Sequence, residues 1–279
     1  MVSSSADEVR NTVREHYGKV AETNGAVGCA PGCCSPTANT NTSAALGYSS
    51  AELASVPDGA NLGLGCGNPQ AIAGLRAGET VLDLGSGAGF DCFLAARQVG
   101  PTGRAIGVDM TPQMVAKARE NARRAGVLNV DFRLGEIEHL PVVDASVDVI
   151  LSNCVINLSP SKADVIREAF RVLRPGGRLA ISDVVATLPI PERFRGTEAA
   201  LTGCIGGAAH VDELERMLTE AGFADVAIRP RPESRAFIKD WMPGSGIEEY
   251  IASASVVATK PASTRSCCGP ECCTPGAIQ

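Results

Sequence analysis

Aromatic residues make up only 4% of this 279-residue chain, and histidines number three. No stretch reaches the roughly 18 uncharged apolar residues that a membrane span requires, and the opening MVSSSADEVR lacks the apolar centre of a signal peptide. Lysine and arginine are scattered, and the net charge is −6 with a pI near 5.2. A nucleic-acid partner is therefore not expected, because phosphate contacts need grouped cations. No internal repeat is evident. These absences point to a cytoplasmic protein with neither a membrane nor a nucleic-acid partner, in which the N-T-S sequon at Asn41 carries no meaning. The 44% hydrophobic content suffices for one sizeable α/β core and a small appended subdomain.

What the chain has in excess is cysteine, eleven in all. In a reducing compartment these are expected to be thiols for metal, metalloid or redox work and not a disulfide framework. A structural zinc site would need four tetrahedral ligands, usually in two knuckles. Cys29 and Cys33 offer one, and no second appears before the tail.

Val9, Val13, Tyr17 and Val20, spaced by three and four, predict an amphipathic helix over residues 6–23. Residues 24–47, rich in Gly, Ala, Asn, Thr and Ser, read as a mobile loop carrying Cys29, Cys33 and Cys34, and SSAELASV as a short capped helix. From residue 79 the strand candidates TVLDL, RAIGVD, NVDFRL, VDVILS and GRLAISDVV alternate with helical patterns near 90–98, 111–125 and 161–173. Such alternation predicts a parallel sheet covered by helices. A helix near 210–221, a strand near 224–229 and the β-rich run YIASASVVATK follow, and the tail after Lys260 reads as disordered.

The segment VLDLGSGAGFD runs strand, glycine turn, helix, with Gly85, Gly87 and Gly89 at the turn. Glycine there permits positive φ and close approach of a ligand, although a tight βα turn without ligand has the same appearance. Asp109 ends the next strand, 24 residues after Gly85. It could accept hydrogen bonds from ribose hydroxyls, cap the helix near Thr111, or do both. Glu136, leaving the third strand, reads equally as a solvated carboxylate or a ligand contact. The motifs GSGAG, Asp109, the loop RLGEIEHLP and LRPGG together resemble the class I S-adenosylmethionine-dependent methyltransferases over about residues 70–185. That resemblance implies a Rossmann-like α/β fold, a seven-stranded, mostly parallel sheet with helices on both faces and a late antiparallel strand. The cofactor would be held by Asp83, Gly85, Ser86, Gly87, Gly89, Asp109, Met110, Gly135, Glu136, Ile137 and Asn153.

The phrases NLGLGCGNP, SNCVINLSP and LTGCIGGA surround Cys66, Cys154 and Cys204, and closely resemble the arsenite S-adenosylmethionine methyltransferases over most of residues 10–260. The family resemblance implies that these three cysteines and one N-terminal cysteine carry the chemistry, with Cys33 and Cys34 best aligned and Cys29 also possible. It implies trivalent arsenic as substrate, a disulfide relay between the N-terminal cysteine and Cys66, and a thiol reductant of the glutathione or thioredoxin type. Soft-ligand preference agrees, since thiophilic arsenic selects thiolate over carboxylate, and a sulfonium nearby is expected to favour the thiolate form. No general base is expected, so His16, His139 and His210 read as ordinary loop or surface residues. Cys92, inside the helix after the glycine turn, reads as a small buried hydrophobe.

The expected organisation is an N-terminal helix and cysteine loop (1–68), a methyltransferase core (69–185), an arsenic-binding cover with the remaining strands (186–260) and a cysteine-rich tail (261–279). In that tail Cys267, Cys268, Cys272 and Cys273 form two vicinal pairs, read either as auxiliary arsenic capture or as a dispensable extension. Two other functions fit parts of the pattern: a thiol-rich protein that sequesters metalloid, and a small-molecule C- or O-methyltransferase with incidental cysteines. Changing Cys33 and Cys34 together to Ser is expected to impair methylation of arsenite more than methylation of a monomethylated trivalent arsenical. Equal loss on both substrates, assayed by chromatography of arsenic species, would sink that division of labour.

Overall fold

A computed structural model describes residues 5–25, 39–195 and 198–262. The first helix, α1 (Ala6–Glu22), starts at a capping box in which the Ser5 hydroxyl accepts from the Glu8 amide and the Glu8 carboxylate accepts from the Ser5 amide. The stretch read as loop before residue 47 contains α2 (Asn39–Ala45), and Ser43, Leu46 and Tyr48 are buried around it. Polar composition misled there because burial of a few apolar side chains outweighs weak helix propensity. The cysteines at 29, 33 and 34 lie outside the described residues, as does the tail with its four cysteines. Helix α3 (Ser50–Ser55) has a second capping box from Ser49, and α4 (Gln70–Ala73) leads into the sheet.

The sheet and its helices then run β1 (Thr80–Leu84), α5 (Phe90–Val99), β2 (Arg104–Asp109), α6 (Pro112–Ala125), β3 (Val130–Leu134), β4 (Val147–Asn153), α7 (Lys162–Val172) and β5 (Leu173–Ala186). They are followed by α8 (Glu198–Thr202), α9 (Val211–Glu220), β6 (Ala224–Arg231), α10 (Arg235–Ile238) and β7 (Ile251–Thr259). The seven strands lie in the order β3-β2-β1-β4-β5-β7-β6, with β7 antiparallel to both neighbours. This is the expected fold, and residues 251–259 supply the late antiparallel strand. The Pro-Gly-Gly turn is a loop-out within β5, because Val147 pairs with Leu173 but Val149 pairs with Arg178.

Alternation along each strand divides the core in two. Leu82, Leu84, Ile106, Val108, Ile150 and Ile181 pack beneath α7 and α9, whereas Val81, Ala105, Val149, Leu151 and Ala180 face α5 and α6. The strand order reverses between β1 and β4, so the crevice that opens at their carboxyl ends is where this class of sheet binds ligands.

Helix α1 closes one side of that crevice. Arg10 pairs with Glu136 at 3.3 Å and Glu138 at 3.5 Å, Arg14 pairs with Glu136 at 3.3 Å, and the Tyr17 hydroxyl donates to the Thr202 carbonyl at 3.0 Å. Partly exposed ion pairs of this kind stabilise by about 0.2–1 kcal/mol each. Changing Arg10 and Arg14 together to Ala is expected to speed amide exchange in α1 by roughly 3- to 100-fold, with β1 and β4 unaffected; unchanged exchange would show that apolar packing alone seats the helix.

Candidate active site

The crevice is a cavity of about 280 Å³. Its floor is the β1 turn. Gly85 has φ +64°, and a Cβ there would sit 2.5 Å from the Val155 side chain, so only glycine fits. Asp109 ends β2 with its carboxylate buried against the same turn. One oxygen accepts from the Gly87 amide at 2.9 Å and the other from the Thr111 amide at 2.8 Å, and the Thr111 hydroxyl also bonds to the carboxylate. Burial raises this carboxyl above its usual range, and the two amides partly offset the rise. Met110, Met114, Ile137 and Leu158 add apolar wall.

Of the residues expected to hold the cofactor, Gly85, Gly87, Asp109, Met110, Ile137 and Asn153 line this cavity. The others stand back from it. Asp83 is buried under the turn, where it accepts from the Cys92 thiol at 3.5 Å, and Cys92 is the buried helix residue expected. Gly89 caps α5 with φ +96°. Ser86 is buried, Gly135 packs against Pro141, and Glu136 turns to Arg10 and Arg14.

Cys154 follows the end of β4 with its amide donating to the Ser182 carbonyl at 2.8 Å. Its φ is +60°, as is that of Cys204. Left-handed backbone at a non-glycine residue costs on the order of 1–3 kcal/mol and concentrates at functional sites. The Cys154 thiol bonds to the thiols of both Cys204 and Cys66, and the Cys204 thiol donates to the Cys154 carbonyl at 2.8 Å. Cys154 and Cys204 face the cavity, while Cys66 is fully buried behind them.

The backbone of Cys66 is held from three directions. Its amide donates to Asn153 Oδ1 at 3.0 Å, and its carbonyl accepts from Arg231 at 2.8 Å and from the Ser253 hydroxyl at 2.7 Å. Arg231 and Ser253, on β6 and β7, have no local sequence signature, since they stand 165 and 187 residues away from Cys66. Asp183 on β5 was also missed. It places a carboxylate oxygen within 4.8 Å of the Cys66 and Cys154 sulfurs, and burial pushes its pKa up to about 6.

Hydrogen bonding of its S–H with Cys204 and Cys66, together with burial, holds the Cys154 thiol well above its usual range. Cys204 is pulled down by its bond with Cys154, but burial and the nearby Asp183 outweigh that and leave it raised.

A methyltransferase-domain family profile matches residues 75–222. The chain is 54% identical over 265 residues to an arsenite methyltransferase of Halobacterium salinarum, covering 92% of this chain and 68% of that protein. The chain belongs to the arsenite methyltransferase family. An arsenite methyltransferase of Aquipseudomonas alcaligenes is 45% identical over 168 residues, which is 58% of this chain and 48% of that one. Among solved structures, an arsenic(III) S-adenosylmethionine methyltransferase from Chlamydomonas reinhardtii superposes with a TM-score of 0.58 at 34% identity, covering 79% of this chain and 73% of that one. The chain thus spans about two thirds of one family member's length and about half of another's.

Asp91, in α5, accepts from the Tyr48 hydroxyl at 2.8 Å and from the Gln70 amide, and burial pushes its pKa up to about 6 from an ordinary 3.8. Its folded form binds the proton more tightly than its unfolded form. The stabilising contribution is therefore full below the unfolded value and is lost as pH rises through about 6. Asp91→Asn, which cannot titrate, is expected to gain stability relative to the parent between about pH 4 and about pH 7, by on the order of 3 kcal/mol at 1.36 kcal/mol per pH unit. Urea unfolding at the two pH values checks this, and a pH-independent difference would refute it.

Proposed function

We propose that this chain transfers the methyl group of S-adenosylmethionine to trivalent arsenic bound by Cys66, Cys154 and Cys204. The observation that carries the reading is the meeting of three thiols, from segments far apart in sequence, at the carboxyl end of β4 beside the glycine-turn cavity. The residues present fit the cofactor. Gly85 and Gly87 leave room for its backbone-hugging part, Asp109 would accept from its ribose, and Met110 and Ile137 would flank its base.

Raised thiol pKa values do not oppose arsenic loading. Each exchange converts an arsenic-bound hydroxyl and a neutral thiol into an arsenic–sulfur bond and water, so no net charge enters a buried site. Three such exchanges leave arsenic with three thiolate ligands and one lone pair. S-adenosylmethionine supplies a methyl group on positive sulfur, an acceptor for that lone pair. The contribution of this chain is orientation: Asn153, Arg231 and Ser253 fix Cys66, the β5 carbonyl of Ser182 fixes Cys154, and residues 186–260 act as a cover that brings Cys204.

Methyl transfer takes two electrons from arsenic. A dithiol returns them as it becomes a disulfide, a part assigned to Cys66 with Cys33 or Cys34, and a cytoplasmic thiol reductant of the glutathione or thioredoxin type resets the pair. Cys267, Cys268, Cys272 and Cys273 serve as auxiliary arsenic ligands. Among the described residues no helix is long and apolar enough to cross a membrane, and we assign the protein neither a membrane nor a nucleic-acid partner.

Mass spectrometry of arsenic species after incubation with arsenite, S-adenosylmethionine and a thiol reductant tests the reading. Methylated arsenic is expected from the parent protein and not from Cys154→Ser. Arsenic bound without methyl transfer under any reductant would replace catalysis with sequestration.

A further inference from the structure

In the arsenic reading proposed above, three thiolates satisfy trivalent arsenic and Asp183 is given no part. Yet its side chain is 3% exposed and stands against two of those thiols. One carboxylate oxygen accepts from Asn157 Nδ2 at 2.9 Å and from the Val184 amide at 2.7 Å. The other accepts from the Ile156 amide at 3.0 Å, and the Asn157 backbone amide also bonds to the carboxylate. A carboxylate oxygen and the sulfurs of Cys66 and Cys154 all lie within 4.8 Å of one another.

That donor set, two sulfurs and one oxygen, is unsuited to a hard cation, which takes six or more oxygens. It matches a borderline-soft divalent ion, which binds thiolate at about 2.3 Å and carboxylate at about 2.0–2.2 Å in a tetrahedron. Those bond lengths put donor atoms at most about 3.8 Å apart, so closure needs movement on the order of 1 Å. Charge also balances. Two thiolates and one carboxylate around a dication leave a single negative charge, and the half-buried Lys162 ammonium already acts on Asp183.

We propose that Cys66, Cys154 and Asp183 form a binding site for a divalent cation of the zinc and cadmium class, with a fourth position open to Cys204 or water. Binding releases the two thiol protons to solvent. Because the ion takes two of the three arsenic ligands, it excludes arsenic from the site; this competition rests on the arsenic reading above, whereas the direct binding does not. The consequence is an enzyme that a soft divalent metal inhibits at its own substrate thiols, without any separate regulatory site. The discriminating residue is Asp183, which the cation uses and arsenic does not.

The test is a cadmium titration, under reducing and oxygen-free conditions, of the full chain with Cys29, Cys33, Cys34, Cys267, Cys268, Cys272 and Cys273 changed to Ser, followed by thiolate-to-metal charge-transfer absorbance. One ion per chain is expected. Asp183→Asn should weaken cadmium by about tenfold or more, since loss of even an outer-shell partner costs 10- to 100-fold. Its arsenite affinity, read from the fluorescence of Trp241 in the cavity wall, should change far less. No cadmium binding, or equal losses for cadmium and arsenite, would overturn the proposal. Should Asp183→Asn not fold, cadmium NMR of the parent chain decides. A mixed sulfur and oxygen environment supports the site, and an all-sulfur one refutes it. Failure of arsenite alone to bind would count against the arsenic reading and leave the cation site standing.

Discussion

The site depends on one amide side chain. Asn153, the last residue of β4, accepts from the Cys66 amide through Oδ1, while its Nδ2 donates to the Gly67 carbonyl at 2.9 Å and to the Tyr48 hydroxyl at 3.1 Å. It thereby ties the loop bearing one thiol to the strand end bearing the next, and both to the Asp91 network beneath the cofactor helix. An acceptor and a donor on one rigid group are needed for this, which Asp or Leu of the same size could not supply. The space is equally specific: Gly65 has φ +124°, and a Cβ there would fall 2.8 Å from the Asn153 amide.

Around that group the protein buries charge-bearing side chains, with the Lys162 ammonium only partly offsetting the burial of Cys204. Asp83 and Asp91 lie beneath the glycine turn and Asp109 on it, each raised by burial, and the thiols of Cys154 and Cys204 are held protonated. Such an arrangement disfavours a highly charged ground state and suits exchange chemistry in which neutral thiols and a neutral arsenic hydroxide trade protons internally. The carboxylates on the cofactor side favour a cationic ligand over a neutral one, since opposite charge is felt strongly where water is excluded. Strain joins the same design. Two cysteines in left-handed backbone persist because the surrounding structure over-determines them.

Helix α1 extends the constraint to the outer edge. Its arginines grip the loop after β3 and its tyrosine reaches the segment that carries Cys204, so the cavity wall and that segment are linked through one element. Glu136 illustrates how a short-range reading falls short. A carboxylate leaving the third strand can face a ligand or a neighbouring cation, and only the docking of a helix more than a hundred residues earlier decided for the cation.

The alternation of apolar runs and helical periods determined by itself the parallel sheet, the glycine turn and the position of Asp109, because those features rest on local periodicity and on backbone angles that only glycine accepts. The three cysteine phrases mark Cys66, Cys154 and Cys204 through their resemblance to the arsenite methyltransferases and not through spacing. Tertiary structure alone decided that Cys66 sits behind the cavity wall, that Arg231 and Ser253 hold it, and that Asp183 joins the thiols. These contacts link strands β5, β6 and β7 to a loop that precedes β1, and side chains brought together by sheet order leave no periodic trace along the chain.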